Sequence, residues 1–194
     1  MIKKFLFSCV PLMVLLSGYT ASAVEEVLSP PEFADVSVHD PSVIKADDTF
    51  YIIGSHMQFA KSQDLMKWEQ ISNSVSEDTL FENIREELAE EFEYAQTDTL
   101  WASDIQQFKN GKYYLYYCLC QGTSPLSVMG VAVSDSIEGP YEKVESFLYS
   151  GTSPQFGEAY NAAIHPNAID PHVFYDNEGK LWMVYGSYSG GIFI

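Results

Sequence analysis

The chain has 194 residues, 46% of them hydrophobic and 14% aromatic, with ten basic residues against 27 acidic ones and a formal net charge of −17. Such a charge repels nucleic acid and anionic surfaces, which leaves neutral polymers or small molecules as partners. Three cysteines are too few to build a disulfide framework.

The first 23 residues, MIKKFLFSCVPLMVLLSGYTASA, join Lys3 and Lys4 to an apolar run and end in Ala21, Ser22 and Ala23. That is the layout of a cleavable secretory signal, so residues 1–23 are set apart and the folded domain is expected over 24–194. The apolar run is short for a membrane span and no second one follows, which favours cleavage over a membrane anchor. Cys9 has no small-residue cleavage motif just before it, which argues against lipid attachment. The expected location is therefore secreted, extracellular or periplasmic, with no membrane contact after cleavage. Removal takes two basic residues and no acidic ones, and 8 less 27 leaves −19 on the mature chain.

A phrase then recurs three times. ASDIQQFKNGKYYLYYC at 102–118 aligns without a gap on DPHVFYDNEGKLWMVYG at 170–186, so that Gly111 meets Gly179, Lys112 meets Lys180, Tyr114 meets Trp182 and Tyr117 meets Tyr185. The stretch from Asp40 fits the same template one residue shorter. Each copy reads as a short strand, a polar turn and a strand dense in aromatic and β-branched residues, which is the pattern of a β-hairpin. A second half-repeat follows in two places, FAKSQDLMKWEQI at 59–71 and VAVSDSIEGPYEKV at 131–144. Units of about four strands, repeated every 60 to 70 residues, are what a β-propeller blade requires, because one such sheet cannot bury both faces alone.

Between the first two copies, DTLFENIREELAEEFEYA at 78–95 sets Leu80, Phe81, Ile84, Leu88 and Phe92 at helical spacing behind a Thr79/Glu82 capping box. It reads as one inserted surface helix whose acidic residues form a solvated face rather than a calcium site. Cys118 and Cys120, two apart on a strand, point the same way and are badly placed to bridge each other. No second ligand pair accompanies them to suggest a metal. The 171 residues left after cleavage (194 less 23) supply two full units and the start of a third, which is expected to fall short of a closed ring.

Asp-Pro opens the first and third copies, at Asp40 and Asp170, whereas Ala102 and Ser103 stand there in the second. One Asp-Pro could do no more than start a strand. The intact second copy shows that the hairpin does not need the carboxylate. In a propeller the equivalent strand ends converge on the axis, so Asp40 and Asp170 are expected in one shared pocket. Two carboxylates in one concave site suit acid and base work on a glycosidic bond, and proximity drives their pKa values apart. A sugar cleft also accounts for the aromatic excess.

VHDPSVI at 38–44, TLWASDI at 99–105, AIDPHVFYD at 168–176 and YGSYSGGIFI at 185–194 together resemble the N-terminal part of glycoside hydrolase family 43, specifically the endo-acting α-1,5-arabinanases. The resemblance runs from about residue 38 to the last residue. It implies a five-bladed propeller, of which about two and a half blades are present. It also implies an inverting hydrolysis of arabinan, a polysaccharide or oligosaccharide substrate, with Asp40 as the water-activating general base and Asp170 tuning the pKa of the acid and orienting it. The family's general acid is a glutamate of a later blade. Glu158, in FGEAYNAA, precedes Asp170 and stands in the wrong order to be it, so this chain is expected to lack its proton donor. The resemblance further implies that Trp101 offers an aromatic platform for a sugar ring, with core packing the alternative. Ser187, in the glycine-rich GSYSGG, is a substrate-binding candidate against a plain turn. His39 either lines the pocket or makes a structural hydrogen bond, and His172 reads as a packed, satisfied histidine. No cofactor is expected within this chain; a calcium ion near the axis is implied for the full-length enzyme, held in part by a later histidine.

Invertases and fructanases share an opening Asp-Pro but resemble Asn-Asp-Pro-Asn-Gly and Arg-Asp-Pro, unlike His39-Asp40-Pro41-Ser42 and Ile169-Asp170-Pro171 here. β-Xylosidase or α-L-arabinofuranosidase activity within the same family is a nearer alternative, because the repeats fix chemistry better than substrate. The remaining alternative is a non-catalytic sugar-binding fragment.

Overall fold

The computed structural model describes residues 29–151 and 160–194. The expected signal at 1–23 and the reading of Glu158 lie outside the described residues.

The all-β organisation is observed. Strands β1 (Ser42–Ala46), β2 (Thr49–Ile53), β3 (Phe59–Ser62) and β4 (Glu69–Ser72) form one four-stranded sheet in sequence order. Strands β5 (Asp104–Gln107), β6 (Tyr113–Cys120), β7 (Ser127–Ser134) and β8 (Glu142–Ser150) form a second, and β9 (His172–Tyr175) with β10 (Leu181–Val184) make a hairpin that repeats the start of each. All neighbouring strands are antiparallel. Each opening hairpin begins two residues past its repeat start: Ser42 faces Ile53, Asp104 faces Tyr116 and His172 faces Val184. The three copies thus share one strand-pairing pattern as well as one sequence pattern. The matched turn glycines Gly111 and Gly179 both hold a left-handed backbone, φ 84° and 78°, and Asp47 takes that conformation in the shorter first copy.

The strands are apolar where they must be buried. In β6, YYLYYCLC, Leu115 and the segment from Tyr117 to Cys120 are buried, and they belong to two clusters. The larger cluster joins Tyr51, Ile53 and Phe59 of the first sheet to Leu115, Tyr117, Leu119 and Val128 of the second. The smaller one holds Cys118, Cys120 and Met129 against Ala168 and Ile169 ahead of the third hairpin. Strand β5 lies against both β1 and β9, so the first strands of the three units are neighbours. Across the outer part, Glu138 accepts from Lys61 Nζ at 3.0 Å and Tyr51 Oη at 3.2 Å, tying the two full sheets together.

The insertion departs from expectation in three ways. It is two short helices, α1 (Ile84–Glu87) and α2 (Ala89–Ala95), broken at Leu88 with φ −110° and ψ 25°. Its N-cap is Asn83, not Thr79: the Asn83 side chain accepts from Glu86 N at 3.3 Å, and Glu87 reaches back to Asn83 N at 3.1 Å. Leu80 and Phe81 are buried ahead of the helix, where Leu80 O accepts from Tyr141 N at 2.7 Å. Lastly, the acidic face is not wholly solvated. Glu91 is 1% exposed and paired with Lys143 Nζ at 2.5 Å, while Ser146 Oγ donates to the same carboxylate oxygen. Among the described residues no helix is long and apolar enough to cross a membrane.

Candidate functional site

The two Asp-Pro steps share one uncommon backbone. Asp40 has φ 50° and Asp170 φ 55°. A proline already disfavours the right-handed helical region in the residue before it. The left-handed alternative costs about 1–3 kcal/mol outside glycine and persists only where surrounding contacts impose it. Aspartate tolerates it better than most residues.

Those contacts are visible at both positions. In the first unit Ser55 N donates to His39 O at 2.8 Å, and Ser55 Oγ donates to Asp40 Oδ2 at 3.2 Å. In the third, Gly186 N donates to Ile169 O at 2.8 Å. Beneath Ile169, the Oγ atoms of Ser127 and Ser150 are hydrogen-bonded to each other, and Ser127 Oγ accepts from Ala168 N at 3.0 Å. Cys118 packs with Ala168 and Ile169 just ahead of the Asp170 turn, and its thiol donates to Ala102 O at 3.2 Å. Full burial pushes the Cys118 thiol far above its ordinary range.

The two carboxylates are electrostatic neighbours. Burial first, and the Asp40 charge second, hold the Asp170 carboxyl above the ordinary carboxylate range. Asp40 is 58% exposed in its side chain and receives His39 Nδ1 on Oδ2 at 2.8 Å. Asp170 is half-buried. One carboxylate is therefore open to water and braced by an imidazole and a hydroxyl, while the other is drawn toward its protonated form. This is the asymmetry that divides base from proton-retaining work between two acids.

His39 makes that contact to Asp40, and its backbone N donates to Gln58 Oε1 at 2.8 Å. Trp101 is partly buried on the second cluster, with its N donating to Cys118 O at 2.8 Å. It also lines a cavity of about 340 Å³ with Gly122, Thr123, Pro125, Asn167 and Tyr188. The indole lies along Gly122, where an added Cβ would come within 3.3 Å of it. Ser187 takes part through its carbonyl, which accepts from Ser189 N at 2.8 Å and Asn167 Nδ2 at 3.5 Å. The glycines around it serve a turn: the chain folds back so that Tyr185 and Phe193 exchange backbone hydrogen bonds, and a Cβ on Gly190 would lie 2.9 Å from His165 O. His172 is not packed as expected; it is 64% exposed, with Nδ1 3.3 Å from Asp104 Oδ2.

His56 is a neighbour that sequence reasoning missed. It has φ 64°, its Nδ1 is 2.7 Å from Thr99 Oγ1, and its ring centroid lies 6.4 Å from that of His39. Its place directly after the Gly54-Ser55 pair, which closes the hairpin opposite Asp40, was the available signal. For the calcium ion implied above, no group of three or more His, Cys, Asp or Glu side chains is placed to hold a metal among the described residues.

The model for glycosyl hydrolases family 43 matches residues 33–193. Extracellular endo-α-(1→5)-L-arabinanase 2 of Bacillus subtilis is 59% identical over 167 residues, covering 84% of this chain and 36% of the relative. A crystal structure of a family 43 glycoside hydrolase from Bacillus licheniformis superposes with a TM-score of 0.81 at 56% identity, covering 84% of this chain and 38% of that one. The endo-1,5-α-L-arabinanase of Thermotoga petrophila superposes with a TM-score of 0.80 at 46% identity, again over 84% and 38%. The chain thus spans less than half the length of these relatives.

Proposed function

We propose that this chain, which belongs to glycosyl hydrolases family 43, carries the water-activating part of an extracellular endo-acting arabinan hydrolase. The observation that carries the reading is the matching left-handed Asp-Pro turns at Asp40 and Asp170, with burial first and the Asp40 charge second raising the pKa of Asp170. The likeness to enzymes named as extracellular endo-arabinanases supports the location and the substrate. In this reading the two four-stranded sheets and the third hairpin are blades of a five-bladed propeller with β1, β5 and β9 along its axis.

Asp40 is the general base. Open to solvent, it accepts a proton from a water that attacks the anomeric carbon from the face opposite the leaving oxygen, so the configuration inverts. His39 and Ser55 hold the Oδ2 atom of Asp40 and leave Oδ1 for the water. Asp170, held toward its protonated form, orients the third acid and adjusts its pKa. That acid, the proton donor, is neither of these two residues, and the family resemblance assigns it to a glutamate of a later blade. Trp101 supplies an apolar face for a furanose ring beside the Asn167 and Tyr188 cavity, and His39 and Ser187 are the remaining substrate-binding candidates.

The test incubates the full-length protein, with the later blades that the family resemblance implies, with linear α-1,5-arabinan and with aryl xyloside and aryl arabinofuranoside. A ladder of internal-cleavage products from arabinan, lost by about 10²- to 10⁴-fold in Asp40→Asn, supports the reading. Xylose release, arabinose as the sole product, or calorimetric binding of arabino-oligosaccharides without turnover contradicts it in favour of the xylosidase, exo-acting and sugar-binding alternatives respectively.

A further inference from the structure

The third position of each repeat is occupied by Ser42, Asp104 and His172, and these three side chains meet. Ser42 Oγ donates to Asp104 Oδ1. Asp104 Oδ2 lies 3.3 Å from His172 Nδ1 and accepts from Val173 N at 2.7 Å. The Asp104 side chain is 3% exposed and sits on β5, the strand that lies against both β1 and β9. Its two oxygens therefore reach in opposite directions, one to each flanking unit. The second unit, which has Ala102 where its neighbours have Asp40 and Asp170, contributes its carboxylate two residues later instead.

The consequence for the two flanking acids follows from chain geometry. Ser42 is two residues past Asp40, and His172 and Val173 are two and three past Asp170. In each case the link passes through a proline whose ring fixes φ, so a displacement at the third position is carried back to the first with little slack. A buried carboxylate is costly unless its lone pairs are satisfied. Here the donors that satisfy it come from β1 and β9, not from its own strand.

We propose that Asp104 is a positioning residue that sets the separation of the Asp40 and Asp170 turns by holding β1 and β9 to β5 through its two carboxylate oxygens. The inference rests on the assignment of Asp40 and Asp170 as the working carboxylates. Asp104 touches neither the water nor the sugar in this scheme; it acts through the two strands.

Three variants of the full-length protein test it, read by steady-state kinetics on linear arabinan and by ¹³C-carboxyl NMR titration of Asp170. Asp104→Ala removes both bridges. It is expected to lower kcat about 10²-fold with KM within about threefold, and to bring the Asp170 titration down as Asp40 moves away. Asp104→Asn removes the same charge but keeps both bridges, because its amide oxygen still accepts from Val173 N and its amide nitrogen donates to Ser42 Oγ. It is expected to restore kcat to within about fivefold and the Asp170 titration to its original position. Ser42→Ala cuts only the β1 bridge and should lower kcat about tenfold, with a Tm lowered by several degrees but a protein still folded at the assay temperature; it keeps the test decisive if Asp104→Ala does not fold. Equal losses in Asp104→Asn and Asp104→Ala, or an unchanged kcat in Ser42→Ala, overturn the proposal. If the unmodified protein does not cut arabinan, the substrate reading falls, and the NMR comparison alone decides the positioning role.

Discussion

Gly54→Ala is the most direct perturbation of the Asp40 turn. Gly54 has φ −152° and ψ −158°, an extended backbone that alanine adopts freely, so the substitution brings no conformational strain. What it brings is a collision. A Cβ built on Gly54 lies 2.0 Å from His39 O and 2.8 Å from Val38 Cγ1, whereas real Cβ contacts stay above 3.0 Å. The His39 carbonyl must retreat by about 1 Å to relieve it, and backbone packed this closely gives way at about 1–3 kcal/mol. For a domain of this size that lowers Tm by about 2–12 °C. The same carbonyl accepts from Ser55 N at 2.8 Å and immediately precedes Asp40, so the carboxylate moves with it. A displacement of about 1 Å at a reacting group costs about 10²-fold in rate. The assay pairs thermal unfolding with kcat on linear arabinan. A Gly54→Ala protein with native Tm and native kcat would refute the reasoning, because the carbonyl would then have moved without cost and without displacing Asp40.

Asp40→Asn should bring the Asp170 titration down toward the ordinary carboxylate range by removing one of its two causes, leaving burial alone; an unchanged titration by ¹³C NMR contradicts the coupling. Because the folded pKa of Asp170 is raised, its contribution is complete below its unfolded value of about 3.9 and is lost as pH rises through the folded pKa. That loss should finish at lower pH in Asp40→Asn. Lys143→Met leaves the buried Glu91 charge without its partner and should destabilise the protein by about 3–5 kcal/mol in denaturant titration; a change below about 1 kcal/mol would show the pair to be dispensable. Cys118 and Cys120, with thiol pKa values pushed up by burial, should resist alkylation at pH 8 until the protein unfolds. Labelling of the native protein within minutes would contradict their burial.

The ungapped match of 102–118 on 170–186, with the one-residue-shorter copy from Asp40, was enough to place three hairpins, the turn glycines of two of them and the equivalence of Asp40, Ala102 and Asp170, because strand register and turn chemistry are local. The left-handed backbone at Asp40 and Asp170 was not legible, since it is imposed by Ser55 N, Gly186 N and the packing around Cys118, which are far away in sequence. The meeting of Ser42, Asp104 and His172 could have been found from their shared repeat position. It was missed because their residue types differ, and only the fold shows that a donor, an acceptor and an imidazole complement one another. Glu91 followed the same logic. It falls on the line Ile84, Leu88, Glu91, Ala95 that faces the sheet, but its charge argued for solvent until Lys143 and Ser146 were found opposite it. The helix start was misplaced because Thr79/Glu82 and Asn83/Glu86 offer competing caps, and burial of Leu80 and Phe81 decided between them.

In the proposed hydrolysis Asp40 delivers water to the face opposite the leaving oxygen. Proton NMR of the first products from linear α-1,5-arabinan reads this directly, before mutarotation blurs the outcome. The β-configured reducing end should appear first, and its appearance should slow by at least about 10²-fold in Asp40→Asn. Release of the α-configured product first, or an Asp40→Asn protein that hydrolyses arabinan at the native rate, would contradict the account.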